Sequence, residues 1–509
     1  MDTLKLKRIA IDTYKENVVY LHRDCDIYQS QGFQALNKIE VYTENPPTQV
    51  FAVLNVVDGE CIIAPGEIGL SEQVFKQFNQ PEGSPIQVRH ATQPKSLSYV
   101  HHKISGDRLN YSEYLEIIQD INANRYSKIE ITAYLVGCAE SEMDRDEVLY
   151  LTKAMINTGE RIDWNGAMVA DKHCIGGIPG NRTSLLIMPI VAAYGLLMPK
   201  TSSRAITSPA GSADTMEALA NVELDIAQLK QIVKQHGGCL AWGGTAKLAP
   251  VDDILITVER PLSMDSPGQM VASILSKKVS AGVTHLIIDI PVGPTAKMHS
   301  YSKATKLRKL FEYVGDNLGL HLEVIMTDGK QPIGFGVGPN LEARDIMRVL
   351  ENDPLSSKFL QEKALQLSGR IIEFDTKVRA GQGYAIARDI LQSGRALEKF
   401  NDILDAQGRN PNPLSFGSLT YDITAPKTGT VIAINNFVVA HIARLAGAPI
   451  DKGSGLYLHK KMGDRVVKGE PLYTIYAEYE ADFKFAQEAA ALDSGFEVNH
   501  SEDYSATSS

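Results

Sequence analysis

Asp171-Lys172-His173-Cys174-Ile175-Gly176-Gly177-Ile178-Pro179-Gly180-Asn181-Arg182-Thr183-Ser184 runs directly into LLIMPIVAAYGLL, residues 185–197. The glycines at 176, 177 and 180 allow tight turns and close backbone approach to an anion. Thr183 or Ser184 would cap the helix that follows, and helix N-terminal N–H groups favour a phosphate. Lys172 adds a full positive charge. It precedes the glycines, so this is no Walker A loop. The stretch reads as a phosphate loop or as an ordinary glycine-rich turn. Both readings put a strand before it and a helix after it.

The same alternation continues on either side, over about 166–410. THLIIDI (284–290) and LEVIMTDG (322–329) are short apolar runs that end in Asp. ATKLRKLFEYVGDNLG and LEARDIMRVLEN carry helical spacing beside them. This predicts an α/β domain with a mostly parallel sheet, whose ligands bind beyond the carboxyl ends of the strands. From about 93 to 165 the pattern is purely helical, with Ser112 and Asp144 expected as N-caps and Gly159 as a stop. Residues 1–92 are β-rich (IEVYTEN, QVFAVLNVVDG, CIIAPGEIGLS) and predict a small barrel-like module. GRNPNPLSFGS near 410 marks a boundary. Residues 411–495 read as a small β sandwich, similar to half of a lipoyl-carrier domain. No E-x-M-K-M tip is present, which argues against a carrier role. Residues 496–509 form a polar tail.

The 509 residues are enough for about three domains. Net charge is −10, which gives no global attraction for nucleic acid or anionic membranes. Cys25, Cys61, Cys138, Cys174 and Cys239 form no CxxC pair, so reduced thiols in the cytoplasm are expected rather than a disulfide framework or metal site. The first residues carry no signal-peptide core. The longest apolar run, Leu185 to Pro199, is broken by Pro189 and Gly195 and is too short to span a membrane.

Three further segments carry candidate chemistry. Thr201-Ser202-Ser203-Arg204-Ala205-Ile206-Thr207-Ser208-Pro209-Ala210-Gly211-Ser212 supplies short hydroxyls and one Arg, suited to sugar and phosphate oxygens. It also reads as a solvated loop with Ser212 as an N-cap. Ser273 and Lys277 lie i, i+4 on one helix face, where both could meet one ligand. Lys277 and Lys278 read otherwise as a solvated face. Gly293-Pro294-Thr295-Ala296-Lys297 follows a predicted strand, which puts Lys297 at the same strand-end crevice. Gly334-Phe335-Gly336-Val337-Gly338 lacks the spacing of a dinucleotide fingerprint, and His101-His102 reads as surface.

K-H-C-I-G-G-I-P-G-N, S-S-R-A-I-T-S-P-A-G-S-A-D and A-S-I-L-S-K-K, in this order, resemble the pyrimidine-nucleoside phosphorylase family. That family includes thymidine phosphorylases and the longer AMP phosphorylases, whose extra N-terminal module the chain shares. The resemblance implies a helical domain (about 93–165, completed by about 251–282) facing the α/β domain across a cleft. It implies a dimer through the helical domain. It implies phosphorolysis, with inorganic phosphate as co-substrate and no cofactor or metal. Thymidine is the family-default substrate. AMP or another monophosphate is the runner-up, and a non-catalytic nucleotide-binding protein is the alternative of another class. By motif, Lys172, Ser184, Ser202 and Ser212 match phosphate contacts. Gly177, Ser203, Arg204, Ala205, Ile206, Thr207, Ser208, Ser273 and Lys297 match substrate contacts, Asp265 a proton donor and His173 a base contact. Cys174 replaces a phosphate-binding Ser, and Ser212 a Thr. Ile256-Thr257-Val258-Glu259-Arg260 lacks the Tyr of the pyrimidine-gripping Tyr-x-x-Arg.

Overall fold

The computed structural model describes residues 3–59, 61–205, 208–245, 248–262, 264 and 266–499. The chain forms two compact units, Met1–Glu160 with Ala249–Ser276, and Arg161–Leu248 with Lys277–Ser509.

In the first unit six strands close a barrel in the order Leu4–Arg8, Glu67–Leu70, Val18–His22, Pro47–Val57, Lys38–Glu44 and Pro85–His90. Alternate residues point inward and are buried, among them Leu4, Leu6, Ile39, Val41, Ala52 and Leu54. Leu4 pairs with Ile86 to close the ring, so the barrel leaves no free sheet edge. The helices Tyr111–Asn122, Lys128–Glu140 and Arg145–Asn157 follow. Each opens with a capping box: Asn110 with Glu113, Ser127 with Glu130, Asp144 with Glu147. Asp144 caps as expected, but Ser112 does not. Asn110 takes that role, because its extended backbone lets Oδ1 accept the N–H groups of Ser112 and Glu113. Inside the bundle, buried Lys103 pairs with Glu147 at 2.8 Å. Glu147 also accepts from the Leu109 N–H and the Tyr114 hydroxyl, so the ion pair is well satisfied.

The second unit is built on parallel strands. His321–Asp328, His285–Val292 and Ala170–Cys174 form one sheet, and Met198–Ser202 pairs with Gly238–Trp242. A parallel bridge between Val169 and Leu197 links the two. The α/β reading of 284–290 and 322–329 therefore holds. The helix Ser184–Tyr194 is apolar on nearly every side and sits in the core, buried from Ser184 through Ala192. Helices Lys358–Ile372, Gly383–Gln392 and Arg395–Gln407 pack with it. Gly195 ends it at φ 114°, a left-handed stop that suits glycine.

The C-terminal module has two sheets. One joins Gly455–Leu458, Pro471–Ala477 and Leu419–Thr424, and the other joins Arg465–Val466, Gly429–Ile434 and Phe496–Asn499. In the second of these the polar-tail reading fails at 496–499, where Phe496 and Val498 are buried in the module's core. The first sheet recruits Gly336–Val337 from the Gly334–Gly338 run. A Cβ on Gly338 would lie 2.3 Å from the Ser454 carbonyl oxygen, so the glycine there serves backbone contact with this module. No described helix is long and apolar enough to cross a membrane.

Candidate active site

Four lysines and two aspartates are buried on and around the parallel strands. Lys172, on Ala170–Cys174, is 1% exposed. Its Nζ donates to Thr183 Oγ1 at 2.8 Å and lies 3.3 Å from Asp289 Oδ2. Asp289, from the strand His285–Val292, also faces Lys363 Nζ at 3.0 Å and accepts from Thr327 Oγ1 at 2.6 Å. Lys363 Nζ donates to Thr327 Oγ1 as well. Asp171 precedes Lys172 on the same strand, so its side chain lies on the other face of the sheet, where it takes Lys278 at 2.6 Å and Lys200 at 3.2 Å. Lys200 Nζ donates to the Lys172 carbonyl at 2.9 Å, which joins the two groups.

Burial alone would keep both aspartates protonated. The ammonium groups of Lys200 and Lys278 around Asp171, and of Lys363 and Lys172 around Asp289, overcome it and hold both carboxyls below the usual range. Lys172 and Lys363 around Asp289 leave one buried positive charge unanswered, and Lys200 beside Asp171 adds a second only in part, because its value is pulled down to about 7. Burial and the surrounding ammonium groups pull Lys200 below the ordinary lysine value despite Asp171. Burial, then Lys278, Lys200, Lys277 and Lys172, drive His173 well below the usual histidine range. Its imidazole is therefore neutral and can give or take a hydrogen bond.

The glycine-rich loop lies against this cluster. Gly176, Gly177 and Gly180 all have positive φ. A Cβ on Gly177 would stand 3.0 Å from the Lys297 amide, so Lys297 packs directly on the loop. Thr183 occupies the N-cap position without a capping bond, because its backbone is already helical and its hydroxyl is committed to Lys172. Ser184 is the first helical residue. Cys174 Sγ accepts from Gly176 N and Asn181 Nδ2, which folds the thiol into the loop. Burial and nearby Asp289 push that thiol up, so it stays protonated at neutral pH. Arg182 turns to Glu342 at 2.5 Å and to the Ala210 carbonyl, tying this loop to the hydroxyl-rich one.

Ser202 ends the strand Met198–Ser202, and Ser203 to Ala205 follow it. Ser212 is not the N-cap of the helix Ser212–Glu217, since Gly211 holds that position. Asp214 Oδ2 accepts from both Ala205 N and Gly211 N, which closes the loop on itself. Ser208 Oγ bonds the Ala210 carbonyl. Arg204 is held by Glu217 at 2.7 Å and Glu223 at 3.0 Å, with its guanidinium over Trp242. Ser273 lies in the first unit, on the helix Pro267–Ser280 that carries the chain into the second. Ile206, Thr207 and Asp265 lie outside the described residues. Lys278 is a correction: the solvated-face reading fails, for the residue is 2% exposed and bound to Asp171. Lys200, Asp289 and Lys363 were not singled out from the sequence. One signal was available: an Asp inside the apolar strand THLIIDI has to find a cation when buried.

A helical unit, and a parallel α/β unit with a cationic, glycine-rich loop, are the two parts of a glycosyl transferase family. Residues 97–159 match the helical bundle domain of a glycosyl transferase family, 166–397 its a/b domain, and 430–495 the pyrimidine nucleoside phosphorylase C-terminal domain. A protein of Methylococcus capsulatus named "Putative thymidine phosphorylase" is 59% identical over 97% of this chain and 96% of its own. A namesake in Albidiferax ferrireducens is 55% identical over 98% and 96%. The chain belongs to the thymidine and pyrimidine-nucleoside phosphorylase family. The anthranilate phosphoribosyltransferase of Thermus thermophilus shares the fold, with TM-score 0.52 at 19% identity over 60% of this chain and 98% of its own.

Proposed function

We propose that this protein is a pentosyltransferase that cleaves thymidine with phosphate to thymine and 2-deoxyribose 1-phosphate. The positive charge left over where Lys172 and Lys363 flank Asp289 carries the reading. A buried excess of positive charge calls for an anion, and phosphate supplies one. Lys172 and the loop 174–184 hold the nucleophile, with Ser184, Ser202 and Ser212 as further contacts. Phosphate attacks C1′ as the N-glycosidic bond breaks. Positive charge grows on the sugar and negative charge on the leaving base. Asp265 gives the base its proton, and the neutral His173 hydrogen-bonds it. No cofactor is assigned.

The second reading, a monophosphate substrate, needs a second anion site. Arg204 was the strongest candidate for it, and its charge is already answered by Glu217 and Glu223. That favours a nucleoside over AMP. We further propose a cytoplasmic homodimer through the helical bundle, where Ile104, Ile129 and Val136 are exposed; light scattering behind a sizing column tests it, and a monomer refutes it. The function is tested by incubating the protein with thymidine, uridine, AMP, CMP and UMP, with and without phosphate, and scoring free base. Phosphate-dependent release of thymine is expected. Release only from AMP overturns the substrate, and no release from any of them overturns the reaction.

A further inference from the structure

Lys452 belongs to the C-terminal module, yet its side chain ends at the loop 203–211. Its Nζ donates to Glu217 Oε2 at 2.6 Å and lies 3.7 Å from Asp214 Oδ1. Asp214 is only 3% exposed, and its other oxygen accepts from Ala205 N at 2.7 Å and Gly211 N at 2.8 Å. One carboxylate thus fastens both ends of the loop. The return is tight: a Cβ on Gly211 would stand 2.7 Å from the Ser203 carbonyl oxygen. Glu217 is shared, since the oxygen that takes Lys452 also accepts from Arg204 Nη1 at 3.1 Å.

The backbone of Lys452 is anchored independently. Its carbonyl accepts from Asn340 N at 3.0 Å, and Asn340 Nδ2 donates to the Ser415 carbonyl at 2.7 Å. The lysine therefore reaches the loop from a fixed base rather than as a free surface chain. Charge gives it its importance. Among the described residues, Asp214, Glu217 and Glu223 are paired with Arg204 and Lys452. Without Lys452 three carboxylates share one guanidinium, and Asp214 and Glu217 repel each other beneath the loop.

We propose that Lys452 is a positioning residue, through which the C-terminal module holds the loop 203–211 in its nucleoside-binding form. This rests on the reading of that loop as a nucleoside contact. Of the proposed phosphate contacts, Lys172 and Ser184 make no contact with Lys452, while Ser202 and Ser212 flank the loop, so loss of Lys452 should affect phosphate less than the nucleoside.

The test uses the full chain with Lys452→Met, which keeps the side-chain length and removes the charge, and Lys452→Arg, which keeps the charge. Hydrogen exchange of the ligand-free protein is followed at the Ala205 and Gly211 amides, and KM is measured for thymidine and for phosphate. In Lys452→Met both amides should exchange several-fold faster. Thymidine KM should rise about three- to fivefold, the scale of a partly exposed ion pair. Phosphate KM should rise less, by no more than about twofold, because Lys172 and Ser184 are remote from Lys452. Lys452→Arg should restore wild-type exchange and KM. Unchanged exchange at Ala205 and Gly211 overturns the proposal, and so does an equal rise in both KM values, which would mean general loosening. If wild type releases no base, the reading of the function fails, while the exchange measurement still decides whether Lys452 holds the loop.

Discussion

Lys172→Met probes the surplus-charge cradle most directly. Lys172 is buried, with Nζ 2.8 Å from Thr183 Oγ1 and 3.3 Å from Asp289 Oδ2. Methionine fills most of the same channel without the charge. Asp289 is not stranded, because Lys363 stays at 3.0 Å and Thr327 still donates at 2.6 Å. The fold should therefore survive, and the ligand-free variant should melt within a few degrees of wild type. The two lysines at Asp289 become one, and the positive charge left over there is lost. A charged hydrogen bond to a dianion is lost, worth about 1.5–3 kcal/mol. That is roughly a 10- to 150-fold rise in phosphate Kd. At phosphate equal to 100 times the wild-type Kd, binding stabilises wild type by about 2.7 kcal/mol. A 30-fold weaker variant gains only about 0.9 kcal/mol under the same conditions. Thermal unfolding with and without phosphate reads this difference, and the phosphate KM should rise in step. A folded Lys172→Met protein with the full phosphate-induced shift would refute the cradle.

Arg204→Ala should weaken thymidine and any monophosphate by the same factor, because Glu217 and Glu223 already use the guanidinium. A loss confined to AMP, in parallel kcat/KM measurements, would restore the two-anion reading. Asp265→Asn should lower kcat by about 10²–10⁴-fold with little change in substrate affinity, as for a general acid; near-wild-type turnover removes Asp265 from that role. His173 supplies a pH test. Burial and its four neighbouring ammonium groups lower its folded value, so only the unfolded chain takes up that proton as pH falls below about 6.5. Its contribution to stability is present above that pH and declines below it. His173→Gln should flatten unfolding free energy against pH between about 7 and 5, and an unchanged slope would mean that the folded imidazole titrates normally.

What could be read from the sequence was what depends on near neighbours. THLIIDI and LEVIMTDG are strands because a short apolar run ending in Asp and Gly has few other stable forms, and the structure places them at His285–Val292 and His321–Asp328. Asp144 was legible as a cap from its position before an amphipathic run. Ser112 misled, because an Asn two residues earlier competes for the same N–H groups. The cradle was half legible. Lys172 stands beside its glycines, so composition alone marks it. Lys200 and Lys363 lie in stretches with no such mark, and adjacent Lys277 and Lys278 read as surface. Four elements separated by up to 191 residues deliver the four ammonium groups, and only the sheet topology brings them together.

The loop 203–211 shows the opposite error of composition. Hydroxyls around an Arg read as an anion site, since each group favours one. The electrostatics depend on carboxylates that the local window omits. Glu217 and Glu223 lie 13 and 19 residues beyond Arg204 and neutralise it, while Asp214 binds the loop's own amides. The two loops therefore differ in sign. Among the described residues, lysines outnumber carboxylates beneath the glycine-rich loop, and Asp214, Glu217 and Glu223 outnumber Arg204 and Lys452 beneath the hydroxyl-rich loop. A 5′-phosphate held by Arg204 would meet those carboxylates at close range, whereas an uncharged sugar bearing hydroxyls would not. One dianion in the first loop and one neutral pentose in the second is the pair of substrates that this charge distribution favours.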